Sequence, residues 1–450
     1  MLQSRSKTKP RPNFVTAQPF QDTHPLAGEE GLERPACVVV VDPFHAGESL
    51  VSAALDQNCA VVVIFTLDKN FCVAECSDFD ALRANPNVEI LFANTCDAIS
   101  GLFGDTGKWA ATAVMAGSEP GVVLATHLAA RLGLPGNDVE MIAAGRNKHE
   151  MRKVVAAAGL ASPRFQLCTD PSDADSFCRE VGFPIVLKTP QGAGTNLVRK
   201  CHSLAEANWA FNEIRTTRDL FGQTADAVVA EEFIGGDEYA INLFHDGEQI
   251  HVVDAWKYDK FDTDFASNLY RSIILCDFRT DAVAGVGDYA IQVARAVGLR
   301  LGYAHCEVKL CPKREQPILI EIGLRQPGAG LTEHCRTNTA FDPYRSTLRV
   351  FQNGGAPIDA RNLAYRKICA TLFGAVVKAG ALVDIQGLRQ VESLPSYLSH
   401  AMSVSVGDRL QLTRDMTGIP WSVRLAHESR EQLLEDVEAV HRTIKFVVQE

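Results

Sequence analysis

Residues 302–330 read GYAHCEVKL, CPKREQP, ILIEIGLRQPGAG. The outer pieces alternate or run apolar as strands do, and Pro312, Lys313, Arg314, Glu315 and Gln316 between them make a turn. Counted outward from Arg314, Glu307 and Glu321 stand equally far away, so an antiparallel hairpin sets them opposite each other. Opposed Cβ atoms lie ~4.5–5.5 Å apart, and like charges there repel. A cation between them removes the conflict. Oxygen-only ligands favour Mg²⁺, which is typically held by one or two carboxylates plus substrate phosphates. Two solvated acids on an edge hairpin are the plainer alternative, and the sequence upstream decides between them.

The chain has 450 residues, room for about three domains of ~150 each. Hydrophobic residues make up 46% and charged residues 22%, as in an ordinary soluble globular protein. Lys plus Arg is 44 and Asp plus Glu is 55, a formal charge of -11, which argues against nucleic-acid and anionic-membrane partners. Thirteen cysteines without a C-x-x-C pair point to reduced thiols in a cytoplasmic protein. A zinc site from His305, Cys306, Cys311, His334 and Cys335 lacks any standard ligand-pair spacing. No apolar run approaches the ~20 residues of a membrane span. Residues 1–34, with Arg5, Lys7, Lys9, Arg11 and spaced prolines, read as a disordered tail, and no apolar core of a cleaved signal follows the basic start.

From residue 35 to 137, buried strands at Cys37–Val41, Ala60–Phe65, Val88–Phe92 and Thr112–Ala116 alternate with helical stretches. That pattern predicts a parallel sheet with βαβ crossovers. No G-x-G-x-x-G follows the first strand, so a Rossmann dinucleotide site is excluded. Ligands still bind at the carboxyl ends of such strands, which makes Phe44–Ser49 and Gly117–Glu119 the expected lining.

Asn147 is placed to cap a helix with apolar Met151, Val154, Val155 and Ala158 and a stop at Gly159. Lys148 falls in its first turn, where the helix dipole disfavours a cation, so an anion is expected beside it. Farther on, a strand at Pro184–Lys188 enters the turn PQGAGTN and returns as Leu197–Cys201. Gly192, Gly194 and Thr195 in that turn offer backbone N–H groups to phosphate oxygens. Lys188 precedes the glycines on a strand and no helix follows, so this is not a P-loop. A strand at Ala227–Ala230 then runs into Glu231, Glu232 and Phe233, turns at Gly235 and Gly236, and resumes at Glu238. Such a hinge offers backbone groups to an adenine edge and a carboxylate to ribose hydroxyls. An ordinary hairpin with a solvated acidic edge is the alternative.

Taken in order, NKHEMRKVVAAAGL, FPIVLKTPQGAGT, EEFIGGDE, CEVKL and EIGLR resemble the ATP-grasp family, over about Asp138 to Gly330. The resemblance implies an ATP-grasp fold of α/β plus α+β class. Its parts are an N-terminal parallel α/β domain (35–137), an ATP-grasp region (138–360) with a small lid subdomain at about 162–237, and a C-terminal α+β subdomain (361–450). It implies ATP and Mg²⁺ as cofactors. Lys148 and Lys188 would hold the ATP phosphates under a lid containing Gly192, Gly194 and Thr195. Glu231 would stand beside the adenine, Glu232 and Phe233 would supply backbone contacts, and Glu238 would take the ribose. Glu307 and Glu321 correspond to the magnesium carboxylates.

One position departs from the common pattern. Many ATP-grasp enzymes carry Asn two residues after the second glutamate; here it is Gly323, with Arg325 retained. Glycine there, followed by R-x-P-G-A, resembles the L-amino-acid ligases that make dipeptides. The C-terminal stretch is similar to that branch too, with strands expected at Ile368–Gly374, Val376–Ile385, Ala401–Leu412 and Trp421–Ala426. A helix is expected over Ser429–Phe446, opened by an S-x-x-Q capping box.

The resemblance therefore implies an ATP-dependent carboxylate–amine ligase that joins an amino acid to an amine or a second amino acid, both small molecules, and releases ADP and phosphate. The carboxylate attacks the γ-phosphorus, an amine displaces phosphate from the acyl phosphate, and Arg325 neutralises the tetrahedral species. The alternatives are an ATP-grasp ligase or carboxylase for a non-amino-acid carboxylate, and a non-catalytic ATP-binding regulator. Trp256, Lys257, Tyr258, His334 and Arg336 are candidates for an acceptor pocket, and a homodimer is the commonest assembly.

Overall fold

A run of valines such as Val38–Val41 can bury both of its faces only inside a sheet covered on two sides. In the computed structural model, which describes residues 34–103, 107–263, 266, 268–277 and 281–449, that is its position. Strand Ala36–Val41 pairs in parallel with Ala60–Phe65 and Ala110–Ala116, and Val88–Phe92 forms the outer edge. Val38 and Val40 enter one apolar cluster while Cys37, Val39 and Val41 enter another on the opposite face. The tail expected at residues 1–34 lies outside the described residues except for Arg34. No helix among the described residues is long and apolar enough to cross a membrane.

At the carboxyl ends of these strands the loops interlock backbone to backbone. A Cβ on Gly117 would lie 2.5 Å from Pro43 Cα, and one on Gly47 would lie 2.6 Å from the Gly117 carbonyl oxygen. The stretch Phe44–Ser49, expected to line a site, instead runs into the helix Ala46–Leu55, whose first turn packs on Gly117 and closes this end of the domain. Only Glu119, beyond the interlock, reaches the main cleft.

A second, antiparallel sheet runs in the order Phe165–Cys168, Val228–Glu232, Ile185–Lys188, Val198–Cys201. Helices Pro171–Val181 and Leu204–Thr216 cover one side of it through Phe177, Phe211 and Ile214. The third and largest sheet has eight strands, ordered Gln316–Gly323, Gly302–Cys311, Asp237–His245, Ile250–Phe261, Leu269–Cys276, Ile368–Phe373, Trp421–His427, Tyr397–Met402. Helices Lys148–Ala157 and Asp281–Ala296 pack on it through Met151, Val155, Val286, Ala290 and Val293.

Strands Val228–Glu232 and Asp237–His245 belong to different sheets, so Phe233–Gly236 is a hinge between two layers and not a hairpin turn. Gly236 has φ 114° there.

Glu307 pairs directly with Glu321, by a route the sequence did not reveal. The turn pairs Cys311 with Gln316 and Val308 with Leu319, a register centred between Lys313 and Arg314. Ile320 is then an extra residue, a bulge that shifts the register and brings the two acids opposite each other. Its carbonyl accepts a hydrogen bond from Arg152 Nη2.

The C-terminal expectations need correction. The strand expected at Val376–Ile385 is Gly380–Gln386, and the one expected at Ala401–Leu412 is two separate pieces, Tyr397–Met402 and Arg409–Leu410. The helix is Arg430–Thr443, and Lys445–Gln449 leaves it as a strand paired with Gly380–Gln386. Phe446 and Val448 are half-buried between the exposed Lys445, Val447 and Gln449, a period of two that a helical count through Ile444 overran. Ser429 accepts from Gln432 N at 3.3 Å, but the Gln432 side chain goes to Asp436, so the reciprocal half of the capping box is not made.

The hinge glycines provide a stability test. A Cβ on Gly236 would fall 2.1 Å from the Leu310 carbonyl oxygen, whereas one on Gly235 meets nothing nearer than 3.9 Å. Gly236→Ala is expected to cost about 2–4 kcal/mol through positive φ and the clash, and Gly235→Ala well under ~1 kcal/mol, as read from urea unfolding midpoints.

Candidate active site

Every residue that the resemblance assigns to nucleotide, magnesium or catalysis lines one cleft between the second and third sheets. Lys148 stands in the first turn of its helix, where the Asn147 side chain accepts from His149 N and Glu150 N. Its Nζ lies 2.7 Å from Glu321 and 2.8 Å from the Gly192 carbonyl oxygen. The anion expected beside this lysine is thus Glu321 of the hairpin; of the acid pair, Lys148 meets Glu321, while Glu307 faces Tyr270 and His305.

One turn along the helix, Arg152 is fully buried and grips Glu231 with two hydrogen bonds, of 2.9 and 3.2 Å. Lys188 Nζ reaches the same carboxylate at 2.8 Å. Burial pushes the Glu231 carboxyl up, but Arg152 and Lys188 outweigh it and hold the group at about 2. Lys188 shifts the other way. Burial, aided by Arg152 and Lys148, pulls its ammonium down to about 8 despite Glu231. The two shifts conflict if the groups are read as a simple pair, and geometry resolves them. Arg152 takes the bidentate share of Glu231, so Lys188 is the under-compensated member. Three cations, Lys148, Arg152 and Lys188, meet Glu231 and Glu321 here, and Glu307, directly opposite Glu321, brings a third carboxylate to the same place.

At the hinge, the Glu232 side chain turns to Arg164 and Arg314, and its N–H donates to the Arg164 carbonyl at 3.0 Å. The Phe233 N–H makes a long contact of 3.4 Å with the Pro184 carbonyl. Glu238 is buried against Lys260 and Lys309, while Lys200 lies 4.4 Å from the centre of the Phe233 ring. Reading the sequence missed these three lysines. Lys309 was recoverable, because it is two residues from Glu307 and shares its strand face. Lys200 and Lys260 come from other strands and carried no signal.

Glu307 accepts from Tyr270 OH at 3.2 Å and lies 3.7 Å from His305 Nε2. Burial would raise its carboxyl, but His305, Lys260 and Tyr270 together hold it well below the usual carboxylate range. Arg325 donates from Nε to Glu119 at 2.7 Å and from Nη1 to the Gln326 carbonyl at 2.9 Å. Glu119 also lies 3.6 Å from Arg146. Burial works against its charge, yet Arg325 and Arg146 keep it ionised below its ordinary value. A Cβ on Gly323 would fall 2.7 Å from Glu119 Oε2. A carboxylate from the N-terminal domain thus occupies the place that a side chain at 323 would take.

The candidates for an acceptor pocket do not line the cleft. Trp256 and His334 are core residues with rings 5.5 Å apart, Lys257 pairs with Asp237, and Arg336 pairs with Glu333. Tyr258 is buried against Tyr270. The residues weighed for zinc scatter as well, with Cys306, Cys311 and Cys335 in three separate apolar clusters.

Residues 146–267 match the family described as phosphoribosylglycinamide synthetase, ATP-grasp (A) domain. A dapdiamide A synthase from Enterobacter agglomerans is 30% identical over 318 residues, which are 68% of this chain and 71% of that protein. A D-alanine–D-alanine ligase from Laribacter hongkongensis is 36% identical over 115 residues, 25% of this chain and 35% of that enzyme. In fold, the chain is similar to an L-amino acid ligase from Bacillus licheniformis, with a TM-score of 0.72, 18% identity, and coverage of 93% of this chain and 100% of the other.

The fit of Glu119 over Gly323 can be tested without any assay of turnover. Gly323→Ala should fold with a melting temperature within a few degrees of wild type, because the far end of a glutamate can swing aside. The Arg325–Glu119 bond should be lost, seen as disappearance of a slowly exchanging arginine Nε–H signal by NMR. A signal unchanged in Gly323→Ala would show that the Cβ is accommodated elsewhere.

Proposed function

The chain belongs to the ATP-grasp superfamily, among its carboxylate–amine ligases, and on that premise we propose that it joins an amino-acid carboxylate to the amine of a second amino acid or another amine through an acyl phosphate. ATP and Mg²⁺ are its cofactors. The observation that carries the reading is the convergence in one cleft of the opposed Glu307 and Glu321, Lys148 and the Arg325–Glu119 pair.

Glu307 and Glu321 fit a magnesium site: they offer only oxygen, and two carboxylates suffice when phosphates complete the shell. Mg²⁺ there would neutralise charge on the phosphates, and Lys148, released from Glu321, would turn to the same oxygens. Lys188 adds a second cation from the opposite sheet. Among the described residues, buried Thr195 Oγ1 finds no hydrogen-bond partner and lines the cleft, as a group reserved for a ligand would.

The amino-acid specificity finds support at the other end of the cleft. Arg325 and Glu119, which both line the cleft, offer one positive and one negative charge side by side, a complement to a zwitterion. Arg325 has one edge fixed by Glu119 and the Gln326 carbonyl, so its fork is oriented before substrate arrives, and such preorganised charge is what stabilises a developing oxyanion.

Two outcomes are expected. Incubated with ATP and pairs of amino acids, the enzyme should release ADP and phosphate with one amide per ATP. AMP and pyrophosphate as products would overturn the reading. Nucleotide binding should also take up protons near pH 8, because the neutral fraction of Lys188 must be protonated to face phosphate. Affinity therefore falls as pH rises through that value. Calorimetry at pH 8 in buffers of different ionisation heat measures the uptake, and Lys188→Arg should abolish it.

A further inference from the structure

The glycine-rich loop at residues 190–196 is fastened from outside. Asn196 Nδ2 donates to Asp415 Oδ2 at 2.7 Å, and Asn196 Oδ1 accepts from Leu220 N at 2.9 Å. Beside this contact, Met416 N donates to the Gly194 carbonyl at 3.2 Å. Asp415 and Met416 lie in a short turn of the C-terminal segment that is itself anchored. The second oxygen of Asp415 takes Thr417 N at 2.9 Å, and buried Thr413 exchanges hydrogen bonds with Val376 and Gly418. On the other side, Leu220 leads to Phe221, whose ring lies 6.4 Å from Phe71 of the N-terminal domain and 5.4 Å from the Arg146 guanidinium. One amide side chain thus joins the loop to the N-terminal and C-terminal parts of the molecule at once.

The loop's own backbone does not favour this conformation. Thr195 and Leu197 adopt φ of 59° and 53°, a region that non-glycine residues avoid unless their surroundings hold them there. The loop covers the cleft with Gly192 against Lys148 and with the unpartnered Thr195 hydroxyl.

We infer that Asn196 and Asp415 are a positioning pair that latches the glycine-rich loop shut over the reacting phosphate, so that the C-terminal segment controls exclusion of water. The inference rests on the ligase reading above. In an open cleft, water adds to the acyl carbonyl and the bond to the phosphate oxygen breaks. Carboxylate, hydrogen phosphate and a proton leave, and ATP is consumed without amide.

The test exploits the charge. Asn196→Asp sets two carboxylates against each other where a hydrogen bond stood. The exchange Asn196→Asp with Asp415→Asn restores one donor and one acceptor, and the carboxylate then at position 196 can still accept from Leu220 N. Release of a fluorescent Mg·ADP analogue should be about 10-fold faster in Asn196→Asp, as expected for loss of a charge-assisted hydrogen bond. Phosphate released per amide should rise above one, and the double exchange should bring both back near wild type. If Asn196→Asp does not fold, Asp415→Ala is measured in its place, with the same expected direction. Release and coupling unchanged in the single variant, or unrestored in a folded double exchange, would overturn the latch. Wild type that makes no amide would instead defeat the ligase reading, and the nucleotide-release measurement would still decide the latch.

Discussion

Charge buried at the meeting point of two sheets and a helix governs this structure. Lys148 and Arg152 come from one helix, Lys188 and Glu231 from the second sheet, and Glu321 from the edge of the third. Each charge out of water is costly alone, and removing one partner of a buried pair typically costs about 3–5 kcal/mol. The three elements must therefore meet in one relative arrangement for any of the charges to be tolerated. The arrangement compensates Glu231 more fully than Lys188, whose ammonium stays well below its ordinary value.

What the sequence revealed was local. The valine runs, the Asn147 cap, the hinge glycines and the acid pair each depend on residues close together in the chain, where spacing is enough to read them. Arg152 was illegible because it stands in a stretch of polar residues, KHEMRK, that looks like a solvated face, and its partner is 79 positions away. Glu119 was noticed only as loop lining, since its partner Arg325 lies 206 positions off. The bulge at Ile320 was invisible for a different reason. Counting from Arg314 reaches the right pair from a turn centre that is half a residue off, and the extra residue makes up the difference.

The C-terminal errors have a common cause. Several short strands there are half exposed, such as Lys445–Gln449, whose inward positions are only partly buried. Weak burial leaves weak patterning, and register in such strands is set by partners far off in the chain. The same segment nevertheless supplies three strands to the largest sheet and the turn that holds the glycine-rich loop. It acts as part of the cleft's framework and not as an appended cap.

The meeting of Glu119 and Gly323 reaches beyond this one chain. A carboxylate from one domain occupies the volume that a side chain from another would need, so a side chain at 323 displaces Glu119 from its bond to Arg325. Recombining domains among relatives would expose this. A chimera that takes residues 35–137 from this protein and the rest from a relative with asparagine at the equivalent of 323 would force an amide and a carboxylate into one space. Exchanges whose crossover keeps both positions from the same parent would escape the conflict. Residues 119 and 323 are therefore coupled through Arg325, whose fork is held in place only while position 323 leaves Glu119 its room.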